Sequence, residues 1–303
     1  MSGPTCKKNS SPDPTELAAR IRQVSGVSAD SGPADKHLVD AVRGFVDAFD
    51  YWYIRVMREA VPKYRQLIIA RINPFIRTIE CKGLSLAETA SKLVGDYNSR
   101  NFVTAGGWAL EEMAVRVSPD GQKAAAEGID VQRLDPESGD YHLYVLKSGL
   151  VTRNSDIIKA LKRNVRQAEK LLLQGQGTGN VHAYYAIAAG KTSSTFEDGI
   201  HRPSSAEFWA QIMNIGSDQA IELALAIAAE AGALVLSDAS AHVTALELLV
   251  SDYISDRKQP DQVDWEFIAT RNMQAKTVWM NEDKDRHQRA MIYLSDSGYE
   301  IAK

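Results

Sequence analysis

Two residues of types that can act on a phosphate ester stand in neighbouring strand-like runs of this chain. Asp130 lies in Gly128-Ile129-Asp130-Val131-Gln132-Arg133-Leu134, and Lys147 closes Tyr141-His142-Leu143-Tyr144-Val145-Leu146-Lys147. The segment DPESGD joins them, and two β-rich runs linked by a Pro, Gly and Asp cluster predict a hairpin. A hairpin sets the carboxylate on one strand beside the ammonium on the strand that returns. Carboxylate oxygens suit a hard divalent cation, and a lysine can orient water or steady charge developing on phosphorus. Hydrolysis of a phosphodiester asks for that combination, with further carboxylates converging on the cation. Glu111 and Glu112, in the segment WALEEMAVRV after Gly106-Gly107, are the candidates. A helix is expected to open there, although its dipole would favour acids at that end in any case. Glu111, four residues past Gly107, is the preferred one.

A local positive patch follows the lysine. Lys147, Arg153, Lys159, Lys162, Arg163, Arg166 and Lys170 face only Asp156 and Glu169 within the same stretch. Such an excess suits the phosphates of a nucleic-acid backbone, though a basic run is more commonly the solvated side of a helix. Ser148 and Asn154 could touch phosphate, but holding and capping the loop after Lys147 is the commoner role. His142, His182 and His201 lack the spacing of a zinc site, and Phe208, Trp209 and Trp108 are expected in the core. Cys6 and Cys81 cannot make a disulfide framework and read as incidental thiols.

The elements that must position these residues are legible in part. Residues 1–33 read as a flexible tail and loop, rich in Ser, Pro and Gly. Residues 34–98 form a helical region, with apolar positions from Leu38 to Ile69 at helical spacing, then a second helix from Ser85 capped by Glu88. Residues 99–214 hold the hairpin, a helix after Asn154-Ser155-Asp156 and a buried-strand candidate at Val181–Ala189. A polar loop is expected from Gly190 to Pro203. Residues 215–303 read as mainly helical, led by the apolar run IELALAIAAEAGALVL. Helix, hairpin, helix, strand is an α/β core.

The order Glu, Asp, Lys on helix, strand, strand resembles the catalytic core of the PD-(D/E)xK nucleases. The stretch YHLYVLKSGLVTRNSDIIKALKRNVRQAEKLL resembles a segment of certain type II restriction endonucleases in which KSG is followed by Asn and a basic helix. SSAEFW is similar to the G-x-x-FW segment that follows the core in those enzymes. The resemblance spans residues 99–214. It implies a PD-(D/E)xK restriction-endonuclease-like core, a mixed sheet flanked by helices, with additional helical segments at both ends. It also implies a Mg²⁺-dependent (or Mn²⁺-dependent) endodeoxyribonuclease acting on double-stranded DNA as a homodimer, in restriction or antiphage defence, with room for a defence-system partner protein. On it, Asp130 with Glu111 or Glu112 holds metal, Asp130, Lys147 and Glu111 are catalytic, and Ser148, Arg153, Asn154, Lys159, Lys162, Arg163 and Arg166 meet DNA. One departure stands out: the family places Glu, Asp or Gln two residues before the lysine, and here that residue is Val145. A nuclease fold that binds DNA without cutting it is therefore the first alternative, and a helical interaction protein the second.

Composition sets the outer bounds. The 303 residues are 44% hydrophobic and 24% charged with a formal net charge of -4, so any nucleic-acid contact must come from local patches. Without 18 consecutive apolar residues or an apolar leader, no membrane segment is expected and a cytoplasmic protein is the default.

Overall fold

The computed structural model describes residues 12–124, 126–149, 155–174, 179–190, 193–197, 199–273 and 281–296. The chain divides into two compact units, one built on Asp50–Thr104 and Leu236–Lys303, the other on Asn9–Phe49 and Ala105–Val235. The second unit holds all the strands among the described residues.

That unit begins with a helix inside the span expected to be tail and loop. Helix α1 (Pro14–Ser25) starts because Asp13 accepts from the backbone N–H groups of Thr15 and Glu16, and it stops at Gly26, which takes a left-handed φ of 68°. Leu17, Ala18 and Ile21 bury its apolar side. The Ser/Pro bias of the surrounding sequence hid this cap and stripe. Helix α2 (Asp35–Phe49) follows, and a π-helical turn over Asp50–Ile54 leads into α3 (Arg55–Leu67). A 3₁₀ turn (Ile69–Arg71) and α4 (Pro74–Glu80) complete this stretch.

Helix α5 (Leu86–Val117) corrects a second expectation. Ser85 and Glu88 cap each other reciprocally at its start, but no new helix opens after Gly106-Gly107, since α5 runs through both glycines for 32 residues. A glycine in a helix interior costs about 1 kcal/mol. Burial of Ala105, Ala109, Met113, Ala114 and Val117 along the same helix outweighs that. Glu111 and Glu112 therefore lie near the end of a helix rather than at its start.

Six strands form one mixed sheet: β1 (Gly121–Gln122), β2 (Val131–Leu134), β3 (Tyr141–Lys147), β4 (Val181–Ile187), β5 (Thr195–Glu197) and β6 (Ile200–Arg202), in the order β1-β2-β3-β4-β6-β5. The predicted hairpin is β2 and β3, antiparallel with Val131 opposite Tyr144. Strand β3 pairs in parallel with β4 from Tyr141↔Val181 to Lys147↔Ile187. The 20-residue helix α6 (Ser155–Gln174) is the crossover between them. The stretch expected to be a polar loop holds the short hairpin β5–β6, and β6 pairs in parallel with β4.

Helices cover both faces. Tyr144, Leu146, Tyr184 and Ala186 pack with α1, α2, α5, α7 (Ser205–Met213) and the N-terminal part of α8 (Ser217–Ile254), whereas Leu143, Val145, Ala183 and Tyr185 pack against Leu161 and Ala168 of α6. The alternation along β3 is what a two-sided α/β sheet requires.

The other unit is helical among its described residues, with α3, α4, parts of α5 and α8, α9 (Trp265–Met273) and α10 (Asn281–Asp296). Its centre includes Arg286, 1% exposed, which donates to the carbonyls of Tyr253 and Ser255 and to the Asp264 carboxylate while stacking on Phe267. Among the described residues no single helix is long and apolar enough to cross a membrane.

Candidate active site

Asp130 stands at the entrance to β2. Its backbone N–H donates to the Tyr144 carbonyl at 2.9 Å, and its Oδ2 accepts from the Leu146 N–H at 2.7 Å. The carboxylate thus takes over a ladder position on β3, one residue before Lys147. The turn behind it is held as well: Gly128 has a φ of 75°, and a Cβ there would collide with the Asn164 carboxamide on α6. Asp130 is fixed from β3 on one side and from α6 on the other.

Glu111 approaches from α5. Its carboxyl is pushed up to about 7, first by burial and then by the Asp130 charge, while Lys147 and Lys123 pull it down. Burial also raises the Asp130 carboxyl, against the Leu146 N–H, Lys147 and Lys123. Glu111, Asp130 and Lys147 therefore lie within one another's field, brought together from a helix, a turn and a strand. Glu112 is turned elsewhere, with its oxygens 3.0 Å from Lys123 Nζ and 3.5 Å from Arg116 Nε. Lys123, in the loop after β1, acts on both carboxylates; a lone lysine in SPDGQK gave no pattern by which to find it.

Val145 is 8% exposed and packs with Leu143, Leu161 and Tyr185, so the place of the family's usual second acid belongs to the apolar core. Among the described residues no three His, Cys, Asp or Glu side chains converge closely enough to hold a metal ion, and of the two glutamates it is Glu111 that lies in the field of Asp130. That pair still fits Mg²⁺, which typically takes one or two protein carboxylates and completes its shell with water and substrate phosphate. Two desolvated carboxylates, one of them raised further by the charge of the other, are relieved by a divalent cation.

The expected DNA-contacting residues are placed unevenly. Ser148 is half-buried, and a Cβ on Gly107 would come within 3.7 Å of its Oγ, so the loop after Lys147 approaches α5 where a glycine leaves room. Arg153 and Asn154 lie outside the described residues. Lys159, Lys162, Arg163 and Arg166 recur every three or four residues along α6 and, with Gln167 and Lys170, line a depression of about 530 Å³. The opposite side of α6 packs into the core through Leu161, Val165, Ala168 and Leu172.

Other aromatic and histidine expectations divide. Phe208 and Trp209 are buried, and the Trp209 indole donates to the Ala188 carbonyl at 3.0 Å. Trp108, expected inside, is 40% exposed. His142 and His182 stack at 5.1 Å, His182 pairing with Asp140 and His142 with the Tyr184 hydroxyl, 2.9 Å in each case.

A mixed sheet covered by helices, with the hairpin lysine at a strand end, defines a restriction-endonuclease-like fold of the PD-(D/E)xK superfamily. Residues 51–231, more than half of the chain, match the type II restriction endonuclease EcoO109I family, and the chain belongs to that family. No curated protein matches it.

Proposed function

We propose that this protein is a Mg²⁺- or Mn²⁺-dependent endonuclease that hydrolyses phosphodiester bonds of double-stranded DNA, as a homodimer, in restriction or antiphage defence. One observation carries the reading: Glu111, Asp130 and Lys147 share a half-buried site in a chain of restriction-endonuclease descent. Asp130 and Glu111 would hold the cation, and Lys147 would orient the attacking water or steady the charge on phosphorus. The cation supplies charge neutralisation and a more acidic water. Lys159, Lys162, Arg163 and Arg166 grip backbone phosphates, joined by Ser148 and, by the family resemblance, Arg153 and Asn154.

The burial of Val145 favours a second reading, a DNA-binding module that no longer cuts. Incubation of supercoiled and phage-derived DNA with Mg²⁺ or Mn²⁺ separates the two. Nicking or linearisation by the wild type, lost in Asp130→Ala and in Lys147→Ala, is the expected result. Retained DNA binding with no cleavage under either metal would sink the enzyme and leave the module.

A further inference from the structure

The helical unit carries a basic cluster of its own. Residues 50–104 hold nine Lys and Arg against five Asp and Glu, in a chain whose net charge is -4. Several of those cations are neutralised locally: Arg55 and Lys63 by Glu59, and Arg77 by Glu80 and Asp96. Arg71 and Arg100 are exposed, and neither forms an ion pair or side-chain hydrogen bond with a described residue.

These two arginines come from different elements and meet at one place. Arg71 ends the 3₁₀ turn, Arg100 lies on α5, and with Tyr97, Arg77 and the Asp96 carboxylate that Arg77 pairs with, they line a depression of about 40 Å³. Both guanidinium groups act on the phenol of Tyr97, a side chain only 7% exposed whose hydroxyl is also hydrogen-bonded with the Asn101 side chain and which burial pushes further from ionising. The turn bearing Arg71 is fixed, because Asn272 donates to the carbonyls on either side of it, Ile69 at 3.0 Å and Ile72 at 2.8 Å. A held backbone, two uncompensated guanidinium groups and a phenol hydroxyl are the chemistry that recognises a phosphate oxygen.

We propose that Arg71, Arg100 and Tyr97 form a second DNA phosphate site, in the helical unit and separate from the α6 stripe. The proposal rests on the DNA-binding reading above. The site grips a backbone phosphodiester and reads no base, so it contributes affinity at every DNA sequence.

The test is binding of the full chain to a short labelled duplex without divalent cation, by fluorescence anisotropy between about 50 and 200 mM salt. Arg71→Gln/Arg100→Gln is compared with wild type, with Arg71→Lys/Arg100→Lys and with Lys63→Gln/Lys82→Gln, which removes the same charge outside the depression. The glutamine pair at the arginines should bind more weakly and flatten the slope of log K against log salt by about 0.9, the loss of one phosphate contact. The lysine pair should keep most of the slope, and the Lys63/Lys82 control should stay near wild type. Equal affinity and slope for the arginine pair and the control would overturn the site while leaving DNA binding intact. Wild type that binds no duplex would overturn the site and the broader reading together.

Discussion

On the proposed function, Glu111 is the residue on which the chemistry would turn, because its carboxyl is pushed up to about 7 and must lose its proton before it can ligate. Its raised proton affinity comes from burial and Asp130, both of which disfavour the charge that a cation would welcome. Cleavage should therefore rise with pH through about 7. More Mg²⁺ should move that rise to lower pH, since metal competes with the proton. A pH profile whose midpoint ignores metal concentration would count against Glu111 as a ligand. The same group sets a cost in stability. A carboxyl raised in the folded state holds its proton more tightly there than in the unfolded chain. Its contribution thus becomes destabilising as pH climbs from the unfolded value toward 7 and stays so above. Glu111→Gln should accordingly melt higher than wild type at pH 8 without metal, lose that advantage near pH 4, and fail to cut. Equal melting temperatures at pH 8 would show that the carboxylate is better solvated than its burial implies.

At the scale of elements, the turn before β2 decides where Asp130 points. Gly128 and Gly139 share a φ of 75°, but a Cβ on Gly139 would meet open space whereas one on Gly128 would strike Asn164. Gly139→Ala should cost about 1–2 kcal/mol for the left-handed backbone and leave cleavage nearly unchanged. Gly128→Ala should cost more and slow cleavage at least tenfold, because the turn can only shift by carrying Asp130 away from Glu111. Urea melts and plasmid cleavage check both, and parity of the two variants would refute the role given to Asn164. This hairpin was legible in the sequence because two β-rich runs flank an unmistakable turn, which also brought Asp130 near Lys147. The phase of α5 was not: Gly106-Gly107 looks like a boundary, and only the buried stripe from Ala105 to Val117 shows why the helix continues. The sequence favoured Glu111 over Glu112 only by its spacing from Gly107. The hairpin β5–β6 escaped because strands of three residues are too short to display a period, and its support comes from β4.

At the scale of the whole chain, charge is segregated rather than spread. A net charge of -4 coexists with the α6 stripe and the 50–104 segment, so attraction to DNA is confined to chosen surfaces. On the proposed function, one copy of Glu111, Asp130 and Lys147 per chain also limits what a single molecule could do, because one such site would attack one strand at a time. Cutting both strands in a single encounter therefore calls for two chains, and two-fold pairing is the usual way soluble proteins supply them. Supercoiled plasmid treated with dilute protein should accumulate the nicked circle, while higher protein concentration should give linear product with little nicked intermediate. Sedimentation on a short duplex without divalent cation should find two chains per duplex at the higher protein concentration. A nicked-to-linear ratio independent of protein concentration, together with one chain per duplex, would make this a monomer that nicks, and the homodimer would have to be abandoned.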